Sequence, residues 1–165
     1  MKMPIPEPYR EYAESMIDAA RSTFEKHGEL TPIAVIGDTN RNFVCPVAGL
    51  AAMPPSVAVQ VLRSLAAKEH ADFVMLGVEI YAARANSIED AHERMAKYES
   101  VADMPDTIRA VFISLETYFG TWAAIAPREG TEGHYTFGEV NLEHTESNPS
   151  PFRDMLPRRA SDTLQ

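Results

Sequence analysis

The chain has 165 residues, 45% of them apolar, a formal charge of −9 and one cysteine. A chain of that size and composition suits one domain that buries its core without a disulfide or metal staple, and the lone Cys45 fits a reducing compartment. The acidic balance argues against binding phosphate backbones or anionic membrane surfaces, and no apolar run approaches the ~18 residues of a membrane span.

The N-terminus, Met-Lys-Met-Pro-Ile-Pro-Glu-Pro, has no apolar segment of the kind a secretory signal needs, so the chain reads as soluble and cytoplasmic. From Tyr9 to His27 the spacing predicts an amphipathic helix, with Pro8 at its start, Gly28 at its stop and an apolar stripe of Tyr12, Met16, Ile17, Ala20 and Phe24. Ile33–Gly37 and Phe43–Val47 follow as a hairpin, joined through Asp38, Asn40 and Asn42, whose short side chains bond their own main chain. Pro46 cannot donate to a ladder, which places the second strand at an edge. Pro54-Pro55-Ser56 opens a second helix to about His70, with Val57, Val61, Leu62 and Leu65 as its stripe.

Phe73–Ala83 is apolar on both faces, as expected of a central strand covered on each side. Asn86-Ser87-Ile88-Glu89-Asp90 holds two overlapping capping patterns, and the helix it starts carries a narrow stripe of Ile88, Ala91, Met95 and Tyr98. That helix reads as a surface insertion. Ile108–Thr117 and Thr121–Ala126 form a second hairpin across Tyr118-Phe119-Gly120, and His134–His144 is a last strand. The expected fold is therefore one α+β domain over residues 1–144, in the order α-β-β-α-β-α-β-β-β. Its sheet is mixed but mostly antiparallel, with about six strands and helices packed on it. Residues 145–165 read as a linker, Ser147-Asn148-Pro149-Ser150-Pro151, and a tail with a small cluster of Phe152, Met155 and Leu156. Charges in that tail cancel, so the acidic excess lies on the folded part.

No motif for catalysis, metal, nucleotide or cofactor is present. Glu79 is the oddest residue, a carboxylate inside Val74-Met75-Leu76-Gly77-Val78-Glu79-Ile80-Tyr81 that needs a partner or a proton if buried. Glu116 ends a similar run, and on neighbouring strands the two acids could share a face, as the acid and base of a small hydrolase do. The plainer reading is that each pairs with Arg84, Arg109 or Arg128. His134 and His144 share a face but lie about 33 Å apart on an unbroken strand, so no metal site is expected. Cys45 has neither a helix N-terminus nor a basic neighbour to activate it, and reads as a small buried apolar side chain.

Two aromatics at the tip, Tyr118 and Phe119, stand where hairpins normally carry Asn, Asp, Gly or Pro. They read either as interface anchors or as cover for the domain's own core, with Trp122 beside them. The tail cluster has helical spacing and docks on this protein, on a sister subunit or on a partner, or stays free. The expected function is thus a noncatalytic interaction or assembly module that associates with itself and with an unidentified protein.

Phe24-Glu25-Lys26-His27-Gly28-Glu29-Leu30-Thr31-Pro32, Ile113-Ser114-Leu115-Glu116-Thr117, Gly120-Thr121-Trp122 and Thr136-Phe137-Gly138-Glu139-Val140 resemble a group of uncharacterised small α/β proteins of bacterial and phage genomes. The resemblance covers most of the domain and implies no activity; Tyr118-Phe119 departs from the polar turn expected there. The element order is also similar to roadblock and longin-type domains, which implies a dimerising scaffold, although the helix at Ile88–Tyr98 departs from that order.

Overall fold

The structure is a computed structural model, and it describes residues 3–83, 85–98, 103–104, 107–146 and 152–157. The linker 147–151 and Arg84 lie outside them. The elements are α1 (Glu7–His27), β1 (Ile33–Asp38), β2 (Phe43–Val47), a single 3-10 turn at Leu50–Ala52, α2 (Pro55–Lys68) and β3 (Phe73–Ala83). They continue with α3 (Ile88–Lys97), β4 (Thr107–Thr117), β5 (Gly120–Glu129), β6 (Thr136–Phe137) and β7 (Glu143–Thr145). The expected single α+β domain is what forms.

The sheet runs β2-β1-β3-β4-β5-β6, with β7 also on β5. Every ladder is antiparallel. β2 is an edge, as Pro46 requires. The spine is β3 against β4, aligned from Phe73 opposite Thr117 to Ala83 opposite Thr107. β1 covers β3 only as far as Gly77, and β5 covers β4 only as far as Ala110. The far ends of β3 and β4 therefore project as a two-stranded arm, and α3 sits beyond it with none of its residues buried. The α3 start is capped as its sequence implies: Asp90 N–H donates to Ser87 Oγ (3.0 Å), and Asn86 N–H to Asp90 Oδ2 (3.0 Å).

Because side chains alternate along a strand, the spine feeds two separate cores. Phe73, Met75, Val111, Ile113, Leu115 and Trp122 point to the α1 face, where Tyr9, Ala13, Met16, Ala20 and Phe24 meet them. Val74, Leu76, Val78 and Phe112 point to the α2 face, with Ala58, Val59, Leu62 and Ala66. Both helices are rotated from their expected stripes. Tyr12 and Ile17 flank the α1 contact rather than centre it. On α2, Val57 is exposed, Val61 and Leu65 are half-buried, and the alanines form the contact line. Small side chains let the helix backbone approach the sheet, and that closeness selects the buried face.

The expected last strand, His134–His144, is two short strands. Both follow β5, but six residues separate Phe137 from Glu143 while their partners, Arg128 and Ala123, are five apart. An extra residue must bulge out. Gly138 marks the break: its N–H bonds Pro127 O (3.1 Å), and Arg21 of α1 holds the carbonyls of Phe137 and Gly138.

Gly37 lies opposite Phe73 on β1, and a Cβ there would stand 2.4 Å from Phe73 Cζ and 2.7 Å from Phe43 O. Gly37→Ala is expected to destabilise the domain by about 1–3 kcal/mol through overpacking, read as a lower denaturant midpoint with unchanged slope.

Candidate functional site

Glu79 and Glu116 are on neighbouring strands but not on one face, and this corrects the shared-face expectation. Glu79 lies opposite Val111 on the α1 face, whereas Glu116, five residues further along β4, lies opposite Val74 on the α2 face. An odd separation reverses the side, and about 17 Å of strand separates them. No single substrate atom can lie between the two carboxylates.

Each carboxylate has a structural assignment instead. Glu79 is almost fully buried and accepts the Leu30 N–H on Oε1 (2.6 Å) and the Arg109 Nε–H on Oε2 (2.8 Å). Of the candidate partners among the described residues, Arg109 and Arg128, it meets Arg109, two residues from its direct neighbour Val111. The pair ties the loop after α1 to the start of the arm.

Glu116 does something sequence reasoning did not foresee. Its two oxygens accept the consecutive amides of the tail, Met155 N–H (3.0 Å) and Leu156 N–H (2.6 Å). Arg63 of α2 donates from Nε (2.9 Å) and from Nη2 to the Asp154 carbonyl, and Tyr118 Oη donates to the Pro157 carbonyl (2.8 Å). Met155 is fully buried, Leu156 nearly so, and Phe152 packs against the same core. Residues 152–157 are thus laid across the α2 face and contribute to its core, so the tail cluster docks on its own chain.

At the tip, Tyr118 is half-buried over the α2-face core and clamps the tail, while Phe119 is 63% exposed with its ring 6.3 Å from Tyr9. Tyr118 thus covers the domain's own core, while Phe119 stays mostly exposed beside Tyr9. Thr117 Oγ1 replaces the usual turn chemistry, accepting the Phe119 N–H (3.0 Å) and donating to Gly120 O (3.1 Å). Trp122, expected as a binding residue, is fully buried on the α1 face and donates from Nε1 to Met3 O (2.9 Å). Its position opposite Leu115 makes it core. Cys45 is not deeply buried but half-buried on the edge strand β2.

An opening lies where α1 stops covering the sheet. It is an apolar groove of about 840 Å³ between α1 and the outer strands β1 and β2, a size typical of ligand and peptide sites. Ser15, Ala19 and Thr23 of α1 form one wall, and Val35, Val44 and Pro46 the floor toward the edge. Among the described residues, no charged side chain lines it. The signal was present in α1, where small residues recur every four positions beside the apolar stripe and leave room that Leu or Phe would fill. Tyr12 Oη donates to Asn42 Oδ1 and ties the α1 wall to the β1–β2 turn.

That turn is stiffened by Asp38, read from sequence only as a turn former, and by Asp72, which sequence reading passed over. Asp38 accepts from Arg41 Nε (2.7 Å) and Asn40 N–H (2.9 Å), and the Arg41 side chain holds its carboxyl below the usual range. Asp72 accepts from Thr39 N–H (3.0 Å), Thr39 Oγ1 and Tyr9 Oη (3.3 Å). Among the described residues, no group of three or more His, Cys, Asp or Glu could hold a metal ion, and no helix is long and apolar enough to cross a membrane. Comparison with family models, curated proteins and solved structures finds no match to this chain.

Replacing Glu79 by Ala leaves the Leu30 amide and the Arg109 guanidinium without their acceptor. A loss of about 1–3 kcal/mol is expected in thermal or denaturant unfolding, with Glu79→Gln retaining part of it. For Glu116, burial raises the carboxyl above its ordinary range; the Met155 and Leu156 amides and Arg63 pull the other way, and Asp154 adds to the rise. The folded state therefore holds the proton more tightly than the unfolded chain. This contribution is present at low pH and is lost as pH rises through the window just above the ordinary glutamate range. Thermal midpoints of the wild type and Glu116→Gln, compared across that window, are expected to differ in slope, the wild type falling relative to the variant.

Proposed function

We propose that the protein is a noncatalytic interaction module that pairs with a second copy of itself through the open edge of β2. The observation that carries this reading is the composition of that edge. Phe43-Val44-Cys45-Pro46-Val47 has no charged residue, although exposed edges normally carry lysine or an inward charge to stop another strand from adding. Pro46 removes one donor and leaves the rest of the row open.

An antiparallel β2–β2 contact is self-complementary about a two-fold axis, so one patch serves both copies. It would continue the sheet across the dimer and cover Val44, which is 45% exposed, together with the mouth of the apolar groove. The uncharged edge also lets two copies of an acidic chain approach where their repulsion is least. The carboxylates considered for hydrolysis are committed to Arg109, to Leu30 and to the tail, which supports a binding role.

Light scattering at micromolar concentration is expected to give about twice the 18.3 kDa chain mass. Val44→Lys, which places a charge on the edge beside the groove, is expected to return the mass to that of one folded chain, its thermal midpoint lowered only by the lost association. A wild type of single-chain mass at every concentration would remove the proposal.

A further inference from the structure

We infer that the cleft on the α2 face, bounded by Arg63, Glu116 and Tyr118, is a receptor for an extended peptide segment of another protein. That segment has two adjacent large apolar residues before a proline and glycine in front of them. In this chain its own residues 152–157 occupy the cleft.

The argument begins with what the cleft touches. Glu116 takes the amides of two successive residues, Arg63 takes the carbonyl of Asp154, and Tyr118 donates to the carbonyl of Pro157. These are main-chain contacts, available from any segment laid in the same direction. Side-chain identity enters chiefly at Met155 and Leu156, whose side chains fill the apolar core behind the clamp. Main-chain hydrogen bonds for affinity and pockets for selected side chains are the logic of peptide recognition.

The resident segment is a poor fit in two respects. Asp154 sits at φ +56°, a left-handed conformation that glycine adopts freely and a side chain resists. Burial chiefly raises the Glu116 carboxyl, and the Asp154 charge adds to that rise. Glycine at that position removes both penalties, which is why the competing segment is given glycine there. The tail is thus held by main-chain contacts through a strained residue, as a displaceable internal ligand is. Tyr118, at the tip of the β4–β5 hairpin, stands where a turn residue is usual and supplies a hydroxyl to the clamp.

The test uses the full chain and synthetic peptides. Met155→Asp together with Leu156→Asp removes the tail's hold and vacates the cleft. A fluorescein-labelled peptide with the sequence of residues 152–157 is expected to bind this variant saturably by anisotropy. Its binding to the wild type, whose cleft is filled, is expected to be weaker by about tenfold or more. The same peptide carrying Asp154→Gly is expected to bind about fivefold tighter, and Glu116→Ala in the vacated chain to abolish both. A folded vacated chain that binds neither peptide, or binds them with no effect of Glu116→Ala, overturns the proposal. If the vacated chain does not fold, amide exchange in the wild type decides. Met155 and Leu156 amides exchanging by local opening, faster than Leu76 and Ile113, support a displaceable segment; exchange only with global unfolding makes the tail an integral core element and overturns it.

Discussion

Two long strands paired without interruption, and buried on both faces from Phe73 to Val78 and from Ala110 to Leu115, govern the rest of this molecule. Along those stretches each residue faces one of two cores according to its parity. A slip by one position would exchange the α1-face set, Phe73, Met75 and Ile113, with the α2-face set, Val74, Leu76 and Phe112. The same parity sends Glu79 and Glu116 to opposite sides. Two carboxylates that look alike in the sequence thereby acquire unrelated partners: one an arginine and a loop amide, the other a pair of amides from the chain's own tail.

The two faces are closed differently. On the α1 side the long helix covers the middle of the sheet and stops short of the β1–β2 edge, leaving an apolar groove floored by Val35, Val44 and Pro46. On the α2 side the helix is shorter, and residues 152–157 pack beside it on that face. The contrast has a simple energetic basis. Burying Met155 and Leu156 gives roughly 1.5–3 kcal/mol per side chain, enough to offset ordering a few residues when three side chains also clamp the main chain. No described segment does the same for the other groove. The open edge and the filled cleft are accordingly the two places where another chain could add to this fold, one by extending the sheet and the other by replacing a segment.

Charge follows the same division. The acids facing inward are all engaged: Asp38 by Arg41, Asp72 by Thr39 and Tyr9, Glu79 by Arg109, Glu116 by the tail. The β2 strand itself carries no charge. Phe119 and the exposed Ile88 and Met95 of α3 remain as apolar points outside both cores.

Element type and order were legible in the residues themselves, because hydrophobic period, Pro and Gly punctuation and capping act over a few positions. Pro8 and Gly28 bracket α1, Pro46 marks β2 as an edge, and Ser87 with Asp90 starts α3. Which flank of a helix is buried was less legible, since Val57 and Ala58 differ by one position and only the distance to the sheet decides between them. The single last strand was misread for a related reason: the break at Gly138 depends on Pro127 and Arg21, both remote in sequence. Sequence alone singled out Glu79, Glu116, Tyr118 and the Phe152, Met155, Leu156 cluster as unusual residues. Only the tertiary structure joined Glu116, Tyr118 and the tail into one clamp, separated Glu79 from it and sent Trp122 into the core. Those outcomes depend on strand register and on contacts across about forty residues of chain, as between Glu116 and Leu156, and no local pattern carries that information.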